Sequence, residues 1–534
     1  MPGSALPDSP LSDSPLSDSL ASGVEPAGSL LIRQARLVQL TDPAPDHPVD
    51  VLVTDGVVTE IAPALDSVAG VDEIDLGGRW VMPGLWDQHV HLGQWVLTSG
   101  RLDLAGTPDV ESAVRLVRDR FTATDGAPVL AWGHRPATWP QPPTVAALDE
   151  VSDTVPIVLI AGDGHHGWLN SAALGLLGLP PRTGVVAEGE WFDNYARLEA
   201  LGLSGDISPA SYQRTMEHLA GLGIVGLVDL EFGERPHSWG ERVAAGADLL
   251  RIRGGVYPDG LEEFIAAGLS TGSPLPGCSP RQVFGVLKLI SDGSLNTGTA
   301  WCCAPYPSGA GTGGEINYGA ANFTEAQMDA LVSRAADHGI EVATHAIGDA
   351  AVAQALDVHE RWGAAGSIEH AQLIRVEDID RLARLGLRAS VQPAHLLDDR
   401  DPSERIWPDR VQRCFMFATM LDAGVDVVLG SDAPVSPLDP WLSIAAAVHR
   451  SADERPPWHP EQALTVRQAL AASVDRQGTV HVGMPADLIA LPDDPLGPAP
   501  DSTDPADSAL AGPRLRGSRP DLTLIDGRVA HTAL

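Results

Sequence analysis

The sequence predicts an α/β fold: a (β/α)8 TIM barrel, with a small β-sandwich built from both termini and a subdomain inserted after the first barrel strand. Three observations predict it. The middle of the chain repeats one local pattern, an amphipathic helix closed by a glycine and followed by a short apolar strand. Each end carries strand-like segments with an Asp-Gly turn. Between the first and second barrel strands, residues 100 to 215, rich in Trp, Pro and Gly, interrupt that rhythm.

In chain order, residues 1 to 28 contain "PDSPLSDSPLSDSLASG", a Ser/Pro/Asp repeat with too few apolar residues to offset the cost of ordering, so a disordered tail is expected. Next, "LLIRQARLVQL" and "VDVLVTDGVVTEIAP" alternate as strands do, the second turning at Asp55-Gly56. At the far end "ADLIALP" and "LTLIDGRVAHT", with a turn at Asp526-Gly527, supply matching strands. The sandwich is therefore assigned to residues 29–82 and 476–534. Within its second part, about residues 493–520 are rich in Pro, Asp and Ser and read as a mobile loop.

The barrel is assigned to residues 83–475. Its first strand is in "WVMPGLWDQHVH". Four later helix–strand junctions place a glycine at Gly223, Gly339, Gly386 and Gly424, where a left-handed residue ends a helix. Thr324 and Gln327 form a capping box that starts one of these helices. Adding "LLRIRGGVY", "VFGVLKLIS" and "GSIEHAQ" gives eight apolar strands alternating with helices, the pattern of a parallel sheet. The insertion at about 100–215 is far longer than a crossover needs and is expected to cap the barrel mouth.

Composition narrows the function. The chain has 534 residues, enough for a barrel with accessory domains, and 44% of them are hydrophobic, enough for a large core. A net charge of −36 leaves no basic stripe for nucleic acid. No apolar run approaches the roughly 18 residues of a membrane span, and the N-terminus lacks the layout of a signal peptide, so a cytoplasmic protein is expected. The four cysteines, Cys278, Cys302, Cys303 and Cys414, have neither zinc-like nor disulfide-like spacing and read as buried small hydrophobes. The expected partner is a small-molecule substrate, with neither nucleic acid nor membrane; a homodimer is compatible with this reading.

Metal-competent side chains gather at the ends of the barrel strands. His89 and His91, as i and i+2 on a strand, share one side. Lys288, His345, His370 and Asp432 stand at the ends of the fourth, fifth, sixth and eighth strands. Barrel enzymes build their sites at that rim, so the six would converge. Taken singly, a histidine such as His370 is more often a hydrogen-bonded core residue than a ligand, and Asp432 alone could be a helix cap. Their shared position at strand ends favours the site. Lys288 is the only lysine among 35 basic residues. Codon bias toward arginine would make it an accident, but an amine can lose its proton and act as a ligand where a guanidinium cannot.

The words "VMPGLWDQHVHL", "DGHHGWLNSAAL", "KLISDGSLNTGTA", "THAIGDAAV", "IEHAQLI", "SVQPAH" and "GSDAPVSPLDP" cover most of residues 29 to 490. They resemble the amidohydrolase superfamily, and within it the amidohydrolase family 3 branch that includes N-substituted formamide deformylases. The resemblance implies a barrel beside a β-sandwich, with His89, His91, His345, His370 and Asp432 as metal ligands. It also implies a carboxylated Lys288 bridging two metals, although one ion with an unmodified lysine occurs in the same pattern. The segment after the last barrel helix is short and the loop before "LTLIDG" long, departures that touch the sandwich rather than the ligands.

The function expected from this set is hydrolysis of a non-peptide amide-like C–N bond, in a formamide, N-acyl amine, carbamate or cyclic amide, by attack of a metal-activated hydroxide. Asp432 and Lys288 are the catalytic candidates, Asp432 as the general acid–base. His395 and His165 are candidates to bind the oxyanion or orient substrate. Zinc is the first choice of divalent metal, as one ion or two, while manganese and iron suit the same ligands. A deaminase of an amino-heterocycle and a non-catalytic binding protein on the same scaffold are the alternatives.

Overall fold

In a computed structural model of the chain, the described residues are 28–534 except 105, 135, 137–138, 162–165, 188–189, 192, 195–196, 199–206, 296–297, 308–315 and 452. Eight parallel strands form the barrel: β1 (Leu85–Val90), β2 (Ile224–Asp229), β3 (Arg251–Val256), β4 (Gln282–Ile290), β5 (Glu341–Ala346), β6 (Gly366–His370), β7 (Arg388–Val391) and β8 (Asp426–Leu429). They neighbour one another in chain order. Just past the strand ends, β8 meets β1 through two backbone bonds, Asp432 N–H to His89 O at 2.7 Å and His91 N–H to Ala433 O at 2.9 Å. Barrel closure therefore ties the backbones of three candidate ligands together.

The junction glycines explain the alternation. Gly223, Gly339, Gly386 and Gly424 all have φ between +65° and +88°, a conformation that costs glycine little and other residues more. The helix Glu325–Ala336 starts from the Thr324–Gln327 capping box.

Strands from both termini share one hydrogen-bonded sheet, which bends at Leu30–Leu37. Gln34, with φ of 55°, interrupts the register between Ile32 and Ala35. The first half of that strand pairs with Val49–Thr54, and its second half pairs with Trp80–Pro83. The bend folds the two halves over a core of Ile32, Val51, Val53, Leu488 and Leu524, which makes the sandwich. Both Asp-Gly turns have two left-handed residues, Asp55 and Gly56 at 48° and 75°, Asp526 and Gly527 at 51° and 70°, as a type I′ hairpin requires.

The insertion has its own five-stranded sheet, running from Leu102–Asp103 to Val186–Ala187, and its own core with Trp139 and Trp168. Its expected end is too late, because the helix Pro209–Gly221, capped by Ser208, already belongs to the barrel and packs on β2.

Two further expectations change. The segment 493–520, read as a loop, contains the helix Pro505–Arg516. Asp504 caps it and Pro505 occupies its first turn, where a missing N–H does no harm. Its buried face, Ser508, Ala511, Gly512 and Leu515, packs on the helix Pro440–His449. Among the cysteines, Cys302 and Cys414 are buried, but Cys278 is half-buried and Cys303 exposed; all four are unpaired thiols. The tail lies outside the described residues, Gly28 excepted. No helix among the described residues is long and apolar enough to cross a membrane.

Candidate metal centre

The chain turns sharply where the strands end. His370, Ala371 and Asp432 have φ of 70°, 43° and 57°, left-handed conformations that cost non-glycine residues about 1–3 kcal/mol each and collect at functional sites. At His370 the turn defeats strand alternation, so that Glu369 and His370, which should face opposite sides, both reach His89.

Asp432 lies at the middle of the cluster. Its Oδ1 is 3.4 Å from His89 Nε2 and 3.5 Å from His91 Nε2, and its Oδ2 is 3.8 Å from His395 Nε2. Two groups of side chains have ligand atoms within 4.8 Å of one another, His89–His91–Asp432 and His370–His395–Asp432, and Asp432 belongs to both. Lys288 Nζ lies 3.2 Å from His89 Nε2. His345 is one step removed. Its ring is 4.5 Å from that of His370, and its Nε2 is 3.5 Å from Asp292 Oδ1. His395, expected to touch substrate, thus sits among the candidate ligands, whereas His165 lies outside the described residues.

The electrostatics follow from burial. Loss of water pushes the Lys288 amine down from its ordinary value. Burial, then the nearby Lys288, lowers the His345 ring to about 3, and burial with His345 holds His370 well below its usual range. Burial opposes ionisation of Asp432, but the surrounding imidazoles, His89 first, outweigh it and keep the carboxyl well below the usual carboxylate range. Burial thus favours the neutral forms of Lys288, His345 and His370 beside the Asp432 carboxylate. His91 Nδ1, His345 Nε2, His370 Nδ1 and His395 Nε2 are buried and make no hydrogen bond. Buried polar atoms without partners are unfavourable by about 1–3 kcal/mol each, and neutral imidazole nitrogens beside a carboxylate are the donor set that divalent transition metals take. The residues present fit such an ion.

Carboxylates behind the rim hold this arrangement. Asp87 accepts from His89 N–H at 3.0 Å and from Ser431 N–H at 3.0 Å, which ties β1 to the loop after β8. Asp292 accepts the N–H groups of Trp301, Ile347 and Gly348 at 2.8, 3.0 and 2.9 Å. Glu369 contacts His89 Nδ1 at 2.6 Å. Sequence reasoning missed all three, although each sits one to four residues from a candidate ligand, in "DQHVH", "KLISD" and "IEHAQ". Phe232, after β2, stacks on His91 at 5.2 Å and on Tyr257 at 4.5 Å.

Known proteins agree with the fold. Protein LONG AFTER FAR-RED 3 of Arabidopsis thaliana is 27% identical over 475 residues, 79% of each chain. The N-substituted formamide deformylase of Arthrobacter pascens is 25% identical over 497 residues, 83% of this chain and 88% of that one. A solved metal-dependent hydrolase of Pyrococcus horikoshii superposes with a TM-score of 0.71 at 24% identity, covering 88% of this chain and 99% of its own. With the amidohydrolase family model matching residues 72–531, most of its length, the chain belongs to the amidohydrolase family.

Proposed function

We propose that this protein hydrolyses a non-peptide, amide-like C–N bond of a small molecule: a formamide, N-acyl amine, carbamate or cyclic amide. The observation that carries this reading is the enclosure of the Asp432 carboxylate by buried imidazoles whose nitrogens lack hydrogen bonds. We assign His89, His91, Lys288, His345, His370 and Asp432 to hold one or two divalent cations, zinc first. Two groups sharing Asp432 support the two-ion form. When bound, the cation supplies Lewis acidity, acidifying water and polarising the substrate carbonyl.

The chain's own groups supply proton movement and orientation. Asp432, ionised across the neutral range, takes at a carboxylate oxygen the proton that water gives up as it adds to the carbonyl carbon. The same oxygen then delivers that proton to the departing nitrogen. His395, whose Nε2 has no other hydrogen bond, donates to the carbonyl oxygen as negative charge builds there. His165 is kept as a substrate contact from the sequence alone. Lys288 is assigned a carbamate: its neutral Nζ forms an N–C bond to carbon dioxide and releases one proton. Burial, which lowers its pKa, supports the neutral amine. The relative that bears the formamide deformylase name supports the substrate class.

The test is a hydrolysis screen of N-formyl and N-acyl amines, with metal content measured on the same sample and both amine and ammonia release scored. Metal-dependent release of amine and carboxylate is expected. A metal-loaded sample that cleaves none of them, or that only releases ammonia from amino-heterocycles, would sink the reading.

A further inference from the structure

Glu369 and His89 are both within 2% of full burial, and their contact is 2.6 Å between Oε2 and Nδ1. An ionised carboxylate is kept at such depth only where hydrogen bonds and charges compensate for lost water. Ser367 Oγ donates to Oε1. Glu369 lines a cavity of about 340 Å³ together with Gln88, Ser367, Ser390, Glu341 and Arg388. Glu369 thus lines that cavity and contacts the candidate metal centre through His89.

We propose that Glu369 is a positioning residue: its carboxylate accepts the Nδ1–H of His89 and fixes the tautomer that leaves the Nε2 lone pair turned to a divalent cation. The proposal rests on the metal-centre reading above. The Glu369 contact selects the tautomer: Nδ1 faces an acceptor at 2.6 Å, and the Lys288 amine, 3.2 Å from Nε2, can donate to the lone pair that this leaves there. One contact opposes it, because the Gln392 amide nitrogen lies 3.4 Å from Nδ1. That bond is long and between neutral groups, whereas the Glu369 contact is short and runs to a carboxylate, the stronger kind of acceptor. Asp432 Oδ1 is 3.4 Å from Nε2, too long to hold a proton there against the Glu369 contact. Carboxylate–histidine pairs of this kind orient ligands, and their loss typically weakens metal affinity 10- to 100-fold.

The experiment is Co2+ titration of the metal-free full-length protein, wild type against Glu369→Gln, followed by visible absorption and chelator competition, with circular dichroism and a thermal melt on each. The expected result is a folded Glu369→Gln with Co2+ affinity lowered about 10- to 100-fold and a changed visible spectrum. A merely structural role would lower the melting temperature and leave affinity and spectrum alone, which would overturn the proposal. A wild type that takes up no Co2+ would overturn the metal-centre reading and this inference with it. Equal binding by both proteins would overturn this inference only. If Glu369→Gln does not fold, 15N-histidine NMR of the wild type decides: a proton on His89 Nδ1 supports the assignment and a proton on Nε2 ends it.

Discussion

Nζ of Lys288 lies 3.2 Å from Nε2 of His89, and each side chain is about 1% exposed. Two charged nitrogens cannot share so small a dry space. Burial lowers both groups, which favours the neutral forms of the amine and the ring. Arginine at this position brings a permanent charge and a wider head. Lys288→Arg is expected to abolish turnover and to lower metal affinity by more than the roughly 10- to 100-fold of an outer-sphere change. Unchanged metal content and activity in that variant would rule out a ligand role for Lys288.

His345 sets a pH dependence whose sign is fixed. Its pKa falls from 6.5 to about 3 on folding, chiefly through burial. Between those values the unfolded chain binds a proton and the folded one does not, so stability falls as pH drops through that window. At pH 5, about 1.5 units below the unfolded value, this group alone costs roughly 2 kcal/mol. Metal-free wild type should therefore lose more stability between pH 7 and 5 than metal-free His345→Gln. Parallel denaturation midpoints for the two proteins would contradict this.

The same residues mark what the sequence could and could not reveal. Helix, glycine and strand are local signals, so the junctions at Gly223, Gly339, Gly386 and Gly424 were legible, and so were histidines at strand ends. Glu369 was hidden because strand alternation assigns it away from the site; only the left-handed backbone at His370 brings both inward. The helix Pro505–Arg516 was hidden because Asp504-Pro505 reads as a turn, and its buried face of Ser508, Ala511, Gly512 and Leu515 carries little hydrophobic signal. Trp86, Trp139 and Trp168 are buried, which no local pattern decides. Trp86 lies under Arg253, and the Trp139 and Trp168 indoles donate to Thr107 O and Thr144 O.

Phe232, an exposed apolar group beside the centre, is 50% exposed and stacked nearly parallel to His91, at 14°. An aromatic N-substituent packed on that ring would gain about 0.5–1.5 kcal/mol beyond area burial. Phe232→Ala should lower kcat/KM for an N-benzyl amide by up to about tenfold and leave the corresponding N-methyl amide unchanged. Equal losses for both substrates would show that Phe232 supports His91 rather than substrate.

Gly430 offers a test that separates strain from site geometry. A Cβ there would lie 2.8 Å from both the backbone nitrogen and the Cβ of His89, and 3.2 Å from Asp87 Oδ1. Neither atom at 2.8 Å is the flexible end of a side chain, so Gly430→Ala must push the loop bearing Asp432 away from β1. Overpacking of this kind costs about 1–3 kcal/mol, and a displacement near 1 Å at a reacting centre costs on the order of a hundredfold in rate. Gly386→Ala is the control. Gly386 has φ of 65° with open space around it, so alanine adds backbone strain of about 1 kcal/mol far from the centre. Both variants should melt earlier, but only Gly430→Ala should lose metal affinity and activity out of proportion to its melting temperature. If the two lose activity in step with stability, the bond from Asp432 N–H to His89 O does not set the geometry of the centre.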